Sequence, residues 1–123
     1  MTRQRQRIGQ SGEKAALEYL NSRGFRIIQL NYRCPLGEVD IVARERETIV
    51  FVEVRTRTGG AMGRASESIT RNKEKKLKRT ALYYLQKEHG REMPCRIDCV
   101  AIEMDPENLT VLNIEHFRGI LFG

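Results

Sequence analysis

The sequence predicts a mixed α/β domain in which helices cover a β-sheet, in the order α-β-β-β-α-β-β. Apolar residues recur at helical spacing in two segments, and five other segments are short, rich in β-branched residues and bounded by turn residues. The length of 123 residues fits one domain spanning residues 1–123. Residues 1–10 are basic and are expected to form a loose arm ahead of the first helix.

The first half of the chain contains one predicted helix and three predicted strands. Ser11 can cap the helix, which ends near Arg23 with Gly24 as its left-handed stop. The residues Cys34-Pro35-Leu36-Gly37 form a turn, and Arg44-Glu45-Arg46-Glu47 joins the second strand to the third. The three strands are predicted at 25–32, 38–43 and 48–56.

The second half of the chain begins with a long helix, predicted from Ser66 to His89 because apolar residues recur there every four positions. The preceding TGGAMG segment, residues 58–63, is expected to be a mobile loop. No Gly-Lys-Ser/Thr follows it, which excludes a phosphate-binding loop. Two further strands are predicted at 95–104 and 109–115, separated by a turn.

Positive charge is concentrated in two places. The net charge is +6, and Arg3, Arg5 and Arg7 lie within the first seven residues. The stretch RNKEKKLKR, residues 71–79, holds six bases against one acid. Clusters of this kind indicate a polyanionic partner, most often nucleic acid. A solvated helix face and a frayed tail would give the same pattern, and charge alone leaves both interpretations open.

Cysteine and histidine usage and the lack of long apolar runs predict a cytoplasmic chain without a membrane partner. No apolar run approaches the roughly 18 residues that span a bilayer, and the first residues contain no secretory signal. Cys34, Cys95 and Cys99 are odd in number and form no CxxC pair, which argues against a disulfide framework. Neither His89 nor His116 stands at zinc-ligand spacing from them. The thiols are therefore expected to be small, half-buried apolar groups.

Two acids interrupt the apolar pattern of the central strands. Asp40 and Glu53 share a face of the predicted hairpin if the loop between their strands has an even number of residues. A two-residue loop at Glu45-Arg46 makes them diagonal neighbours, and a four-residue loop pairs them directly. An odd loop would put them on opposite faces.

Two carboxylates in such proximity repel each other unless a cation lies between them. Mg²⁺ is commonly held by one or two carboxylates, with water and phosphate oxygens completing its shell. The pair therefore points to a Mg²⁺ or Mn²⁺ site. The alternative, which the pattern leaves open, is an edge strand that carries charge against aggregation.

Two helical residues could add to this site. Glu13 heads the apolar stripe of the first helix, so its side chain is expected to point toward the sheet. An acid in a first turn also favours the helix dipole, which is its alternative role. Lys73 falls within the apolar series of the long helix, so it either extends along its stem into solvent or reaches the acids.

Five stretches of the sequence resemble those of a known family. They are, in chain order, GEKAALEYL, GFRIIQLNYR, GEVDIVA, VFVEVRTR and RIDCVAIE. In order and spacing, the chain resembles the YraN family of small bacterial proteins over roughly residues 9 to 117. The resemblance implies a restriction-endonuclease-like fold, a mixed sheet flanked by helices that is similar to archaeal Holliday-junction resolvases. In that superfamily a helix Glu, a strand Asp and an E-x-K pair bind metal and cut phosphodiester bonds.

Matched by position, the resemblance implies that Glu13 is the helix acid, Asp40 the strand acid and Glu53 the first residue of E-x-K. The backbone carbonyl of Val54 is implied as a further metal ligand. Arg55 stands where the superfamily has lysine. Arginine cannot act as a proton-accepting base, although it can orient a phosphate in bidentate fashion.

The first functional hypothesis is a Mg²⁺- or Mn²⁺-dependent nuclease acting on DNA rather than RNA, branched or structured DNA included. Asp40 and Glu53 would hold the metal, Glu13 would bind it directly or through water, and Arg55 would position the phosphate. The residues expected to contact nucleic acid are Arg57, Lys73, Lys76, Arg79, Arg3, Arg5 and Arg7. The alternatives are a nucleic-acid-binding module with a weak or inactive site, and an adaptor for a protein partner. A homodimer would permit paired cuts, and the sequence leaves the oligomeric state open.

Overall fold

The computed structural model describes residues 3–59 and 70–120 and has the expected order of elements. The elements are α1 (Arg3–Ser22), β1 (Arg26–Cys34), β2 (Gly37–Glu45), β3 (Thr48–Arg57), α2 (Arg71–His89), β4 (Cys95–Met104) and β5 (Val111–Phe117). The strands form a sheet in the order β1-β2-β3-β4-β5. β3 and β4, which flank α2 in the chain, are parallel, and the other neighbouring strands are antiparallel. The predicted α/β class with a mixed sheet is confirmed.

The two helices cover opposite faces of the sheet. Ala16 and Leu20 of α1 are buried against one set of alternate strand residues. Leu77, Ala81 and Leu85 of α2 are buried against the other set. Because successive side chains of a strand point to opposite faces, the central strands are apolar on both sides and carry a core on each.

α1 begins at Arg3 and not at Ser11, so the prediction of a loose arm is wrong for the described residues from Arg3 onward. Arginine and glutamine are good helix formers, which extends the helix toward the chain start. The weak formers Gly9, Ser11 and Gly12 stay within it because Gly12 packs directly on Thr56 of β3. The end of α1 agrees with the prediction, since Gly24 has φ 89°.

The close approach of α1 to β3 predicts opposite effects of two glycine substitutions. Gly12→Ala would drive its methyl group into the side chain of Thr56, so we expect a loss of about 1–3 kcal/mol in the free energy of unfolding. Gly9 lies in the same helix with open space around its Cα, so Gly9→Ala should stabilise the fold by up to about 1 kcal/mol. Urea denaturation measures both values, and equal stabilisation by the two variants would contradict the packing.

α2 starts after Thr70, whose side-chain oxygen accepts a hydrogen bond from the N–H of Lys73 at 3.2 Å. The helix ends at Gly90, which has φ 69°. The predicted start at Ser66 lies outside the described residues, as does most of the predicted loop over 58–63. The strand ends differ from the prediction by one or two residues, which is the usual uncertainty of element boundaries.

A buried polar network fastens β5 and the residues after it to β4. Asp98 is fully buried and accepts hydrogen bonds from Nε of Arg96 at 2.9 Å and from the N–H of Gly119 at 2.8 Å. Nε2 of His116 lies 2.8 Å from Asp98, and Arg96 also reaches Glu45 at 2.8 Å. Burial alone would raise the pKa of Asp98, but the hydrogen bonds from His116, Arg96 and Gly119 outweigh it and lower the pKa. Asp98 is therefore an ionised and well-satisfied buried acid.

The thiols are free, as predicted: Cys34 and Cys95 are half-buried and Cys99 is buried. Burial raises the pKa of Cys99 to about 11, which keeps it a neutral, unreactive thiol. In the described ranges, neither helix has the length and apolar character that crossing a bilayer requires.

Candidate functional site

The sheet forks between β2 and β3. The pairing of these strands runs from Glu45–Thr48 to Ile41–Val52. Beyond that point β2 continues to pair with β1 as far as Gly37, and β3 continues along β4 as far as Arg57. The fork therefore separates the start of β2 from the end of β3 and leaves room for a site between them.

The register places Asp40 and Glu53 at the base of this fork. The next position after the Ile41–Val52 pair sets Asp40 opposite Glu53, on the face that α2 covers. The loop between β2 and β3 has an even number of residues, as a shared face requires. It consists of Arg46 and Glu47 rather than Glu45 and Arg46, and the resulting register sets Asp40 directly opposite Glu53. The two carboxylates thus face the same space.

Asn31 extends this pair to α1. It lies between the pairs Leu30–Ile41 and Tyr32–Val39, and therefore opposite Asp40. Its backbone is left-handed, with φ 51°, a conformation that asparagine tolerates better than most residues. Its amide donates a hydrogen bond to Oε1 of Glu13 at 3.1 Å. The sequence did not predict Asn31 as a site residue. Its one indication in the sequence is an amide at the exposed end of an otherwise apolar strand.

Ionisation of the Asp40 carboxyl is less favourable in the folded chain than in water. Oδ2 of Asp40 accepts a hydrogen bond from the N–H of Val54 at 2.7 Å, a donor that the fork leaves free for it. Burial raises the pKa of Asp40 to about 6, and the charges of Glu53 and Glu13 act in the same direction. The bond from Val54 and the charge of Lys73 oppose this shift without cancelling it. The charge of Glu13 is therefore felt at Asp40, in agreement with its predicted orientation toward the sheet.

Glu53 is 7% exposed and is paired with Lys73. Nζ of Lys73 lies 3.1 Å from Oε1 of Glu53, while the lysine side chain as a whole is 42% exposed. Of the two roles left open for Lys73, the structure shows the one in which it reaches the acids. Its ammonium supplies one positive charge to a site with two facing carboxylates.

Arg55 and Arg57 follow Glu53 on the same face of β3. The Nε atoms of both are buried and, within the described part of the chain, have no hydrogen-bond partner. A buried donor without a partner costs roughly 1–3 kcal/mol, so native structures seldom leave one unused. Arg55 and Arg57 therefore each carry a donor that the described residues leave unused.

Asp40 and Glu53 line a cleft of about 700 Å³. The start of α2 lines it with Thr70, Asn72, Lys73 and Lys76, and the turn between β1 and β2 contributes further lining residues. Sequence reasoning missed Arg33 and Asn72, because only the folded turn and helix start bring them here. The other predicted contacts are outside the described lining: Arg55 and Arg57 on β3, and the exposed helix residues Arg79 on α2 and Arg3, Arg5 and Arg7 on α1.

The donor set suits a hard divalent cation. Among residues 3–59 and 70–120, no three His, Cys, Asp or Glu side chains are gathered closely enough to complete a metal site. Asp40 and Glu53 together match the one or two carboxylates by which Mg²⁺ is usually held. Asp40 and Glu53 could thus hold Mg²⁺ or Mn²⁺. Glu13, the predicted third ligand, accepts a hydrogen bond from Asn31 and is not gathered with these two acids closely enough to complete such a site.

The raised pKa of Asp40 predicts a pH-dependent stability of the metal-free protein. A group whose pKa rises from 3.8 to about 6 on folding stabilises the fold fully below pH 3.8, and this stabilisation is lost as the pH rises through 6. Asp40→Asn keeps an acceptor for Val54 and removes the charge. We expect it to raise the free energy of unfolding in EDTA by about 1–3 kcal/mol at pH 7.5, and by less at pH 4.5.

Urea denaturation at the two pH values measures this difference. Glu38→Gln is the control, because Glu38 lies on the same strand but is exposed, and its replacement should change stability little at either pH. Equal destabilisation by Asp40→Asn at both pH values would contradict the prediction.

The fold and the site define a mixed α/β domain with two facing carboxylates at a fork in its sheet, beside the basic end of a helix. The chain belongs to the uncharacterised protein family UPF0102, whose family model matches residues 12–102. This confirms the resemblance to the YraN family, which is the same family. Glu13, Asp40, Glu53 and Lys73 all lie within the matched residues.

Curated relatives match the chain over nearly its whole length. A UPF0102 protein of Desulfitobacterium hafniense strain Y51 is 43% identical over 121 residues, which cover 98% of this chain and 100% of the relative. The UPF0102 protein of Moorella thermoacetica is 45% identical over 119 residues, 97% of this chain and 98% of the relative. That of Caldicellulosiruptor saccharolyticus is 44% identical over 112 residues, with coverage of 91% and 94%.

Proposed function

We propose that this chain is a metal-dependent nuclease that hydrolyses phosphodiester bonds of DNA, structured or branched DNA included. The observation that carries the proposal is the facing pair of Asp40 and Glu53 in a cleft that Lys73 and Lys76 also line. Two half-buried or buried acids on one face are unfavourable unless they share a cation. Cationic side chains in the same lining suit a phosphate.

Each residue of the site has a distinct task in this proposal. Asp40 and Glu53 bind the metal, and the N–H of Val54 fixes the orientation of the Asp40 carboxylate. Glu13, held by Asn31, contributes a third negative charge. When bound, Mg²⁺ or Mn²⁺ would neutralise the charge that develops at the scissile phosphate. Arg55 orients that phosphate and cannot accept a proton from water.

The basic residues hold the strand on either side of the scissile bond. Lys73 and Lys76 line the cleft, and Arg57 follows Arg55 on β3. The exposed bases of the two helices, Arg79 on α2 and Arg3, Arg5 and Arg7 on α1, add attraction that is independent of sequence. The resemblance to junction resolvases supports DNA over RNA.

The ion pair between Lys73 and Glu53 supports a second candidate, a nucleic-acid-binding module without turnover. Its ammonium neutralises Glu53 without any metal. Arg55 also removes the proton acceptor that lysine would provide. In this module the cleft would bind a strand and release it uncut.

Metal uptake separates the two candidates. The experiment titrates the purified chain with Mg²⁺ and Mn²⁺ by calorimetry and then incubates it with labelled plasmid, single-stranded and branched DNA. Metal uptake with cleavage that EDTA abolishes supports the nuclease, whereas DNA binding without metal uptake supports the module. Both require affinity that falls with salt, because phosphate contacts release counterions. A flat response to salt contradicts both.

A further inference from the structure

The lining of the cleft beside the acids combines two chemical kinds of residue. The turn between β1 and β2 contributes Pro35 and Leu36. Leu36 is 44% exposed although it is fully apolar. The helix α2 contributes the two cationic residues Lys73 and Lys76 and the polar residue Asn72. A ligand that satisfies both kinds of lining residue needs an anionic edge and an apolar edge.

An unpaired nucleic-acid strand has both edges. Its phosphates are anionic, and the flat faces of its bases are apolar and accessible. In a duplex those base faces are stacked inside the helix, and only phosphates and base edges remain exposed. Leucine and proline are among the side chains that proteins insert between bases, and insertion into a duplex has to unstack a base step at a cost of roughly a few kcal/mol. Pro35 and Leu36 therefore favour an unpaired strand, whose base faces are already accessible, over an intact duplex.

The size of the cleft points the same way. Its volume of about 700 Å³ lies in the range of pockets that enclose small ligands and matches a few nucleotides of one strand. Asp40 and Glu53 both line this cleft, so under the proposed function a scissile phosphate enters it. A strand that is already separated from its complement can bring its bases into the cleft without a cost of unpairing.

We propose that the cleft binds an unpaired strand, with its phosphates along α2 and its bases against Pro35 and Leu36. This inference rests on the proposed function and names its substrate class. The unpaired segment is the feature that selects where the chain acts, and Leu36 is a specificity-determining residue.

The experiment measures binding of fluorescent oligonucleotides in EDTA, where cleavage is absent. An unpaired oligonucleotide is expected to bind at least about tenfold more tightly than a blunt duplex of equal length. Leu36→Ala should weaken binding of the unpaired strand by about fivefold and leave binding of the duplex unchanged. The matched control is Leu82→Ala: Leu82 is 50% exposed on α2, outside the described lining of the cleft, and its replacement should change neither affinity.

A second readout places a fluorescent adenine analogue in the unpaired strand. Its emission should change on binding to the wild-type chain and to Leu82→Ala, and change less with Leu36→Ala. Equal affinity for duplex and unpaired strand, or identical behaviour of the two leucine variants, would overturn the inference.

The outcomes also separate this inference from the nuclease proposal. Cleavage of intact duplex that depends on Asp40, with no effect of Leu36→Ala, would leave a nuclease and overturn the inference. Binding of the unpaired strand that depends on Leu36, with no cleavage in Mg²⁺ or Mn²⁺, would support the inference and contradict the hydrolysis.

Discussion

Cleavage of DNA in Mg²⁺, the activity proposed above, is expected to fall at least about 100-fold in Asp40→Asn and in Glu53→Gln. Both substitutions preserve shape and remove one of the two facing carboxylates to which the proposal assigns the metal. Glu53→Gln also releases Lys73, whose Nζ lies 3.1 Å from the carboxylate in the metal-free chain. Initial rates with labelled DNA measure the loss, and calorimetry should show weaker metal binding in the same variants.

The matched control for these variants is Glu47→Gln. Glu47 is 90% exposed in the turn between β2 and β3 and is outside the described lining of the cleft. Its replacement should leave the rate within about threefold of the wild-type value. Because the proposal places Asp40 and Glu53 on one metal, the double variant should be little worse than either single variant. Cleavage that survives in both single variants would assign the activity to a contaminant or to other residues.

Asp98→Ala is expected to lower the free energy of unfolding by about 3–5 kcal/mol. The substitution removes a fully buried carboxylate and leaves the N–H of Gly119 and a ring nitrogen of His116 without their acceptor. Arg96 would keep Glu45 as its one acidic partner. Since small domains are commonly stable by about 5–15 kcal/mol, the loss is a large share of the total. Urea denaturation at pH 7 measures it.

Acid pH provides an internal check on this prediction. The pKa of Asp98 is lowered on folding, so its stabilisation is present above the ordinary aspartate pKa and is lost as the pH falls through the lower value. The difference between Asp98→Ala and the wild-type chain should therefore shrink below about pH 4. Glu47→Ala is the control, because Glu47 is 90% exposed and should change stability by no more than about 0.5 kcal/mol. A loss at pH 7 no larger than that of the control would contradict the network.

The strand pattern predicted that Asp40 and Glu53 share a face on the condition of an even loop between β2 and β3, because side chains alternate with a period of two along a strand. The two-residue loop of the structure meets that condition. The strand pattern was not sufficient to predict the fork. Where two strands part depends on what each pairs with on its other side, here β1 for β2 and β4 for β3. That pairing is a property of the whole sheet.

The residues that sequence reasoning missed have a common physical reason. Asn31 contacts Glu13 because its backbone is left-handed. The spacing of apolar residues along a strand does not indicate that one residue has an unusual φ. The start of α1 was misplaced because local propensity counts Gly12 against a helix, whereas its packing on Thr56 outweighs that cost. Asp98 and His116 meet across two antiparallel strands, and their contact follows from the register of β4 and β5.

The ion pair of Lys73 and Glu53 makes the ammonium of Lys73 a competitor of any divalent ion at this carboxylate. With the function proposed above, the affinity for the metal would be lower than the carboxylates alone would give, because the ammonium already lies 3.1 Å from Oε1 of Glu53. A strand bound along α2 would offer Lys73 a phosphate in exchange for Glu53. Strand and metal would then strengthen each other's binding by the same factor, as thermodynamic linkage requires. The chain would hold its metal weakly in isolation and tightly where a strand is already in place.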